Sequence, residues 1–136
     1  MKKYFIDTCI WRDFYENRFS KAGNPLGKYA TDFFLKTIKN KDKILFSDTL
    51  IIELGSFYNK YEIYNMLNFL FAIELLVKVE ITELEFIESK NLCKQRNIPL
   101  GDCITAVQAR NHNATVITQD NHFFNDLKDI ALVEKP

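Results

Sequence analysis

The sequence predicts an α/β fold: a three-layer sandwich in which a central, mostly parallel sheet is flanked by helices. Three observations lead there. Short apolar runs such as Tyr4-Phe5-Ile6, Ile44-Leu45-Phe46 and Thr115-Val116-Ile117-Thr118 have the length of buried strands. The stretches between them are longer and repeat apolar residues at helical spacing. Strands separated by helices pair in parallel, because each helix carries the chain back to the edge where the previous strand began. A length of 136 residues suits one domain, 1–136, and a 47% hydrophobic content with twelve Phe supplies a core rather than a disordered chain.

Taken in order, Tyr4-Phe5-Ile6 is the first strand and ends at Asp7. Ile10, Trp11, Phe14 and Tyr15 then follow helical spacing. Gly23, Asn24, Pro25 and Gly27 mark a loop, and Tyr29, Phe33, Phe34 and Ile38 restart a helical stripe. Ile44-Leu45-Phe46 is the second strand, after which Ser47 or Asp48 can cap a helix carrying Leu50, Ile51, Leu54 and Tyr58. Another helix spans roughly 61–75. Val77, Val79 and Ile81 alternate with Lys78 and Glu80, as in a strand with one wetter face. Thr82 and Glu85 have the spacing of a capping box, opening a helix to about Arg96. Pro99 closes a connection, residues 102–112 form a helix, and Asn113 can end it in a left-handed conformation. After the strand 115–118 come a short helix near 122–128 and a last strand near 131–134.

Composition narrows the function. Lys plus Arg and Asp plus Glu number 18 each, so bulk charge does not advertise nucleic-acid binding, although local patches remain open. Cys9, Cys93 and Cys103 include no C-x-x-C pair, and their odd number fits reduced thiols in the cytoplasm. The N-terminal M-K-K-Y-F-I-D reaches an acid after three apolar residues, too few for a signal segment. The most apolar stretch is broken by Asn68 and Glu74, so no membrane span is expected. The cysteines lack a basic or His neighbour that would make a nucleophile, and no Gly-rich phosphate loop is present.

Ligands of open parallel sheets collect beyond the carboxyl ends of the strands. Asp7 ends the first strand and Asp120 follows T-V-I-T by two residues. Asp102 opens the helix before that strand, and Glu53 lies in the helix after the second strand, beside Ile51, Ile52 and Leu54. Each acid also has an ordinary structural reading. Asp7 can cap a helix, Glu53 can lie on the wet edge of one, Asp102 can favour a helix N-terminus, and Asp120 can form an Asx-turn. Together they fall where one sheet would place its site. Acids gathered there repel one another unless a hard divalent cation, Mg²⁺ or Mn²⁺, joins them. Such an ion can activate water and neutralise a phosphate.

The ordered set F-I-D-T, I-I-E-L, G-D-C-I-T-A-V-Q-A and T-V-I-T-Q-D-N-H-F resembles the acidic motifs of PIN-domain nucleases, in particular VapC-like toxins of toxin–antitoxin modules. The resemblance covers nearly the whole chain. It implies a PIN-like fold and a metal-dependent endoribonuclease. Asp7, Glu53, Asp102 and Asp120 would hold one or two Mg²⁺ or Mn²⁺ ions, with Thr8 and Thr118 as supporting hydroxyls. Cleavage would leave a 5′-phosphate and a 3′-hydroxyl. It further implies an RNA substrate, an antitoxin protein and a homodimer. The chain departs from the pattern at Cys103, after the third acid, at Gln119, where Arg is frequent, and at His122, where a further acid is frequent. His122 reads either as a substitute ligand or as a surface or substrate-facing residue.

Other features carry weaker expectations. Arg12 can reach a phosphate or pair with Asp13 or Glu16. Lys36, Lys39, Lys41 and Lys43 read mainly as a solvated run, and His112 as structural. Tyr58, Tyr61 and Tyr64 recur every three residues, and with Phe57 and Met66 they belong either to the core or to an exposed groove for an antitoxin peptide. Two competing classes fit less well. A receiver-like Mg²⁺-binding module needs a neighbouring acid at Asp7 and a Lys after Thr118, and a D-x-D phosphatase needs an acid where Cys9 stands. A catalytically inactive PIN interaction domain is the remaining alternative.

Overall fold

Alternation along the strands sets the layers of the computed structural model, which describes residues 1–136. Strand β1 (Lys3–Ile6) sends Tyr4 and Ile6 to one face of the sheet and Phe5 to the other, and β2 (Lys43–Phe46) does the same with Ile44, Phe46 and Leu45. Both faces are apolar because both are covered. On the first lie α1 (Thr8–Glu16), α2 (Leu26–Asn40), α3 (Asp48–Leu54) and α4 (Lys60–Ala72), around buried Trp11, Phe34, Leu54 and Leu70. On the second lie α5 (Glu83–Arg96), α6 (Leu100–Asn111) and α7 (Asn121–Asp126), around Leu92, Val107 and Phe123.

With β3 (Leu76–Lys78), β4 (Thr115–Ile117) and β5 (Leu132–Glu134) the sheet has the order β3-β2-β1-β4-β5. Every pairing is parallel, a stricter outcome than the mostly parallel sheet expected. The order is not the 2-1-3-4-5 of a receiver-like module. The chain winds outward from β1 through β2 to β3, then crosses back to β4 and β5. The winding therefore reverses between β1 and β4, and the carboxyl edge at such a reversal is where open parallel sheets bind ligands.

The expected elements are present, with boundaries that differ for local reasons. Ser47, rather than Asp48, caps α3, its hydroxyl accepting from Thr49 N at 3.2 Å. That helix stops at Leu54, so Tyr58 does not belong to it, and Asn59 caps α4 by accepting from Glu62 N at 2.8 Å. Tyr58, Tyr61 and Tyr64 thus do not share one helix. Strand β3 ends at Lys78 and leaves Val79 and Ile81 outside, since an edge strand has one neighbour and is commonly short. Thr82 and Glu85 form both bonds of the capping box, at 3.1 and 3.0 Å. Helix α6 starts two residues earlier than expected, directly after Pro99, and Asn113 takes φ 54° just past its end. No helix is long and apolar enough to cross a membrane.

Candidate metal centre

Asp7 stands at the carboxyl edge of the sheet because β1 ends one residue before it. Its backbone N–H donates to Ile117 O at 2.9 Å, which ties the end of β1 to the end of β4. Its carboxylate is an N-cap, with Oδ1 accepting from Thr8 N at 2.9 Å. The other oxygen accepts from the Thr118 hydroxyl at 2.7 Å and from the Cys9 thiol at 3.4 Å. Asp7 therefore caps α1 with one carboxylate oxygen while the other is tied to Thr118 and Cys9 at the carboxyl edge of the sheet. Thr118 is fully buried and also accepts from Asp120 N at 2.9 Å, so one hydroxyl links the first and fourth acids. Asp120 is itself the N-cap of α7, accepting from His122 N at 2.9 Å.

Glu53 and Asp102 arrive from opposite layers. Helices α3 and α6 approach closely where Gly101 stands. A Cβ there would lie 3.3 Å from Thr49 Cγ2 and 3.4 Å from the Glu53 carboxyl. Asp102, in the first turn of α6, is buried. Glu53 is half-buried on the inner side of α3, whereas its sequence neighbour Ile52 is 72% exposed. The apolar flanks of Glu53 in sequence point elsewhere on the helix; the sheet edge and α6 enclose it instead.

The electrostatics follow from that gathering. Burial, reinforced by the charges of Asp7 and Asp102, pushes Glu53 up to about 7. Burial, then Asp7 and Asp120, push Asp102 up to about 6 against a hydrogen bond from His122. Asp7 is raised by burial, partly offset by the bonds from Thr118, Cys9 and Thr8. Carboxyls that resist ionisation in one another's presence are what a cation would relieve. Thr8 Oγ1 is buried and has no partner at hydrogen-bonding distance, although it lies near enough to Glu53 to lower its pKa slightly. Carboxylate oxygens around an unpartnered buried hydroxyl suit a hard divalent ion such as Mg²⁺ or Mn²⁺, so these residues fit the group the sequence suggests.

His122 faces the same acids. Its Nδ1 is 3.5 Å from Asp102 Oδ2 and 3.8 Å from Asp120 Oδ1, and one ligand atom from each of the three residues lies within 4.8 Å of the others. Thr105 is an addition: with Asp7, Thr8, Ser47 and Glu53 it lines a small cleft at the strand ends. Its position three residues beyond Asp102 on α6 is the signal that could have found it. Arg12 does not join the acids. It pairs with Glu16 at 3.3 Å, and its guanidinium lies 3.6 Å from the centre of the Phe57 ring. The lysine run leads into the start of β2, at the amino end of the sheet and away from the acids; Lys43 donates to Glu74 O at 2.6 Å. His112 is also at the amino end, against Phe5 with ring centres 6.1 Å apart. Burial first, then Asp7, pushes the Cys9 thiol up to about 12, so it is no nucleophile.

A family model for the PIN domain matches residues 4–129. No curated protein matches the chain in sequence. Among solved structures, the chain is similar to one in a toxin–antitoxin complex from Klebsiella pneumoniae, with TM-score 0.68 and 18% identity over 98% of this chain and 97% of that one. It is also similar to one in VapBC2 from Rickettsia felis bound to a promoter DNA fragment, with TM-score 0.63 and 19% identity over 98% of both chains. A third is in FitAcB from Neisseria gonorrhoeae, with TM-score 0.59 and 20% identity over 96% of both. At these identities the likeness establishes the fold.

Proposed function

The chain belongs to the PIN-domain family, and from that premise we propose that it is a metal-dependent endoribonuclease, the toxin of a toxin–antitoxin pair. The observation that carries the reading is the gathering of Asp7, Glu53, Asp102 and Asp120 near the carboxyl edge of the sheet, close enough that burial and one another's charge push Glu53 to about 7 and Asp102 to about 6. These four residues would hold Mg²⁺ or Mn²⁺. When bound, the ion neutralises charge on a phosphate and makes a water more acidic.

The chain's own residues supply position. Thr118 holds the Asp7 and Asp120 segments in one arrangement, and Gly101 lets Glu53 come up against α6. The free Thr8 hydroxyl can donate to a phosphate oxygen or to water. Arg12 and the exposed Phe57 next to it form a rim that single-stranded RNA could reach, with Phe57 able to stack a base. Hydrolysis would leave a 5′-phosphate and a 3′-hydroxyl.

The antitoxin reading has support of its own. Trp11, Phe14, Phe34, Leu35, Met66 and Phe69 line much of an apolar cavity of about 260 Å³ between α1, α2 and α4. The apolar face of a partner helix would fit it, and the similar chains from Klebsiella and Rickettsia come from toxin–antitoxin and VapBC complexes. Tyr61 and Tyr64 are exposed while Met66 is buried, so the aromatic stretch serves both core and surface. We read residues 1–136 as one functional domain, acting in the cytoplasm as a homodimer; light scattering giving a monomer's mass would remove the last point.

The test is cleavage of RNA by the purified protein with Mg²⁺ or Mn²⁺. Asp7→Asn and Asp102→Asn should each lower the rate by about 100-fold or more, since each 1.36 kcal/mol lost from transition-state binding is tenfold. Induced expression should arrest growth, and Asp7→Asn should relieve the arrest. An inert wild type with both metals, or variants that cut equally well, would overturn the nuclease reading.

A further inference from the structure

We infer that His122 is a metal ligand in this chain, making the outer part of the site a mixed oxygen and nitrogen centre of Asp102, Asp120 and His122 that prefers Mn²⁺ to Mg²⁺. The inference rests on the metal-site reading above and adds to it which ion the site selects.

Geometry carries the argument. The imidazole Nδ1 approaches Asp102 Oδ2 at 3.5 Å and Asp120 Oδ1 at 3.8 Å, while one atom from each residue lies within 4.8 Å of the others. Ligand atoms bound to one ion at about 2.0–2.2 Å stand roughly 3 to 4 Å apart, so small rotations close the set. The ring is held where it is. His122 N donates to Asp120 Oδ1 at 2.9 Å, and the next residue, Phe123, is fully buried and anchors α7 against α6. Half of the His122 side chain stays exposed, which leaves a path for an ion to enter. A second observation on the inner side also points to a ligand: the Thr8 hydroxyl, buried and unpartnered beside Glu53.

The nitrogen decides the preference. Mg²⁺ keeps its waters and favours oxygen donors, whereas an imidazole is an ordinary ligand for first-row transition ions. A carboxylate in this position would leave an all-oxygen site with no such bias. The alternative is that the His122 ring only pairs with the two acids and never meets an ion.

Pulsed electron paramagnetic resonance on the full chain loaded with one equivalent of Mn²⁺ separates the two. The expected result is coupling of the Mn²⁺ to an imidazole ¹⁴N. The signal has one possible source, since the only other histidine, His112, lies at the amino end of the sheet. His122→Ala should abolish it and lower Mn²⁺ affinity about tenfold, with Mg²⁺ affinity falling less than about twofold. His122→Asp should keep metal binding and lose the Mn²⁺ preference. Mn²⁺ bound without ¹⁴N coupling overturns this inference and leaves the metal site standing. Failure to bind Mn²⁺ at all overturns both.

Discussion

Thr118 shows how much one buried hydroxyl can hold. It donates to Asp7 Oδ2 at 2.7 Å and accepts from Asp120 N at 2.9 Å, with no exposure to water. Without it, Asp7 would remain buried but lose its shortest hydrogen bond, and the Asp120 N–H would lose its acceptor. Thr118→Val keeps the shape and removes both bonds. We expect it to lower stability by about 1–3 kcal/mol, the cost of leaving buried polar groups unpaired. Mn²⁺ affinity should fall about tenfold, as for other residues that orient a ligand from behind. Thr118→Ser should retain most of both. Denaturant unfolding and calorimetric titration of Mn²⁺ read the two effects. A Val variant with unchanged metal affinity would reduce Thr118 to a packing residue.

Between elements, the contact that assembles the site is α3 against α6 at Gly101. Placing a β-branched side chain there pushes atoms onto Thr49 Cγ2 and the Glu53 carboxyl, both already within 3.4 Å of a single added Cβ. Gly101→Val should therefore weaken Mn²⁺ binding about tenfold or more while circular dichroism stays that of the folded chain. Gly101→Ala should do less. Binding unchanged in both would mean that Glu53 does not need this approach. What the sequence made legible here follows from local rules. Strand-sized apolar runs, the Thr82 and Glu85 capping box, and acids at strand ends all depend on residues near one another in the chain. The approach at Gly101 depends on a residue 52 positions away in the chain, and nothing near Gly101 in sequence announces Thr49. Arg12 is similar: its pairing with Glu16 lies within reach of helical spacing, but its stacking on Phe57 requires the turn after α3. His122 stood beside Asp120 in the sequence, yet only the return of α7 over α6 brings it to Asp102.

For the molecule as a whole, gathering four acids at one edge of the sheet sets folding against ionisation. Glu53 titrates near 7 and Asp102 near 6, above their ordinary values of 4.5 and 3.8. The folded chain therefore binds these protons more tightly than the unfolded chain does. Their contribution to stability is full below the unfolded values, near pH 4, and is lost as pH rises through 6 and 7. On the metal-site reading proposed above, a divalent cation would take the place of the protons, binding the ionised folded form far better than the unfolded chain. The metal-free protein, kept with chelator, should thus lose thermal stability between pH 5 and pH 8 more steeply than it does with Mn²⁺ present. The rise in Tm on adding Mn²⁺ should be small at pH 5 and several degrees at pH 8, on the order of 3–6 °C per kcal/mol for a chain of this size. Glu53→Gln, which presents a neutral side chain of nearly the same shape, should flatten the metal-free pH profile and shrink the response to Mn²⁺. Scanning calorimetry across that pH range reads all three curves. A Mn²⁺ shift of equal size at pH 5 and pH 8 would show that the ion does not replace these protons, and would separate the raised carboxyls from the metal centre.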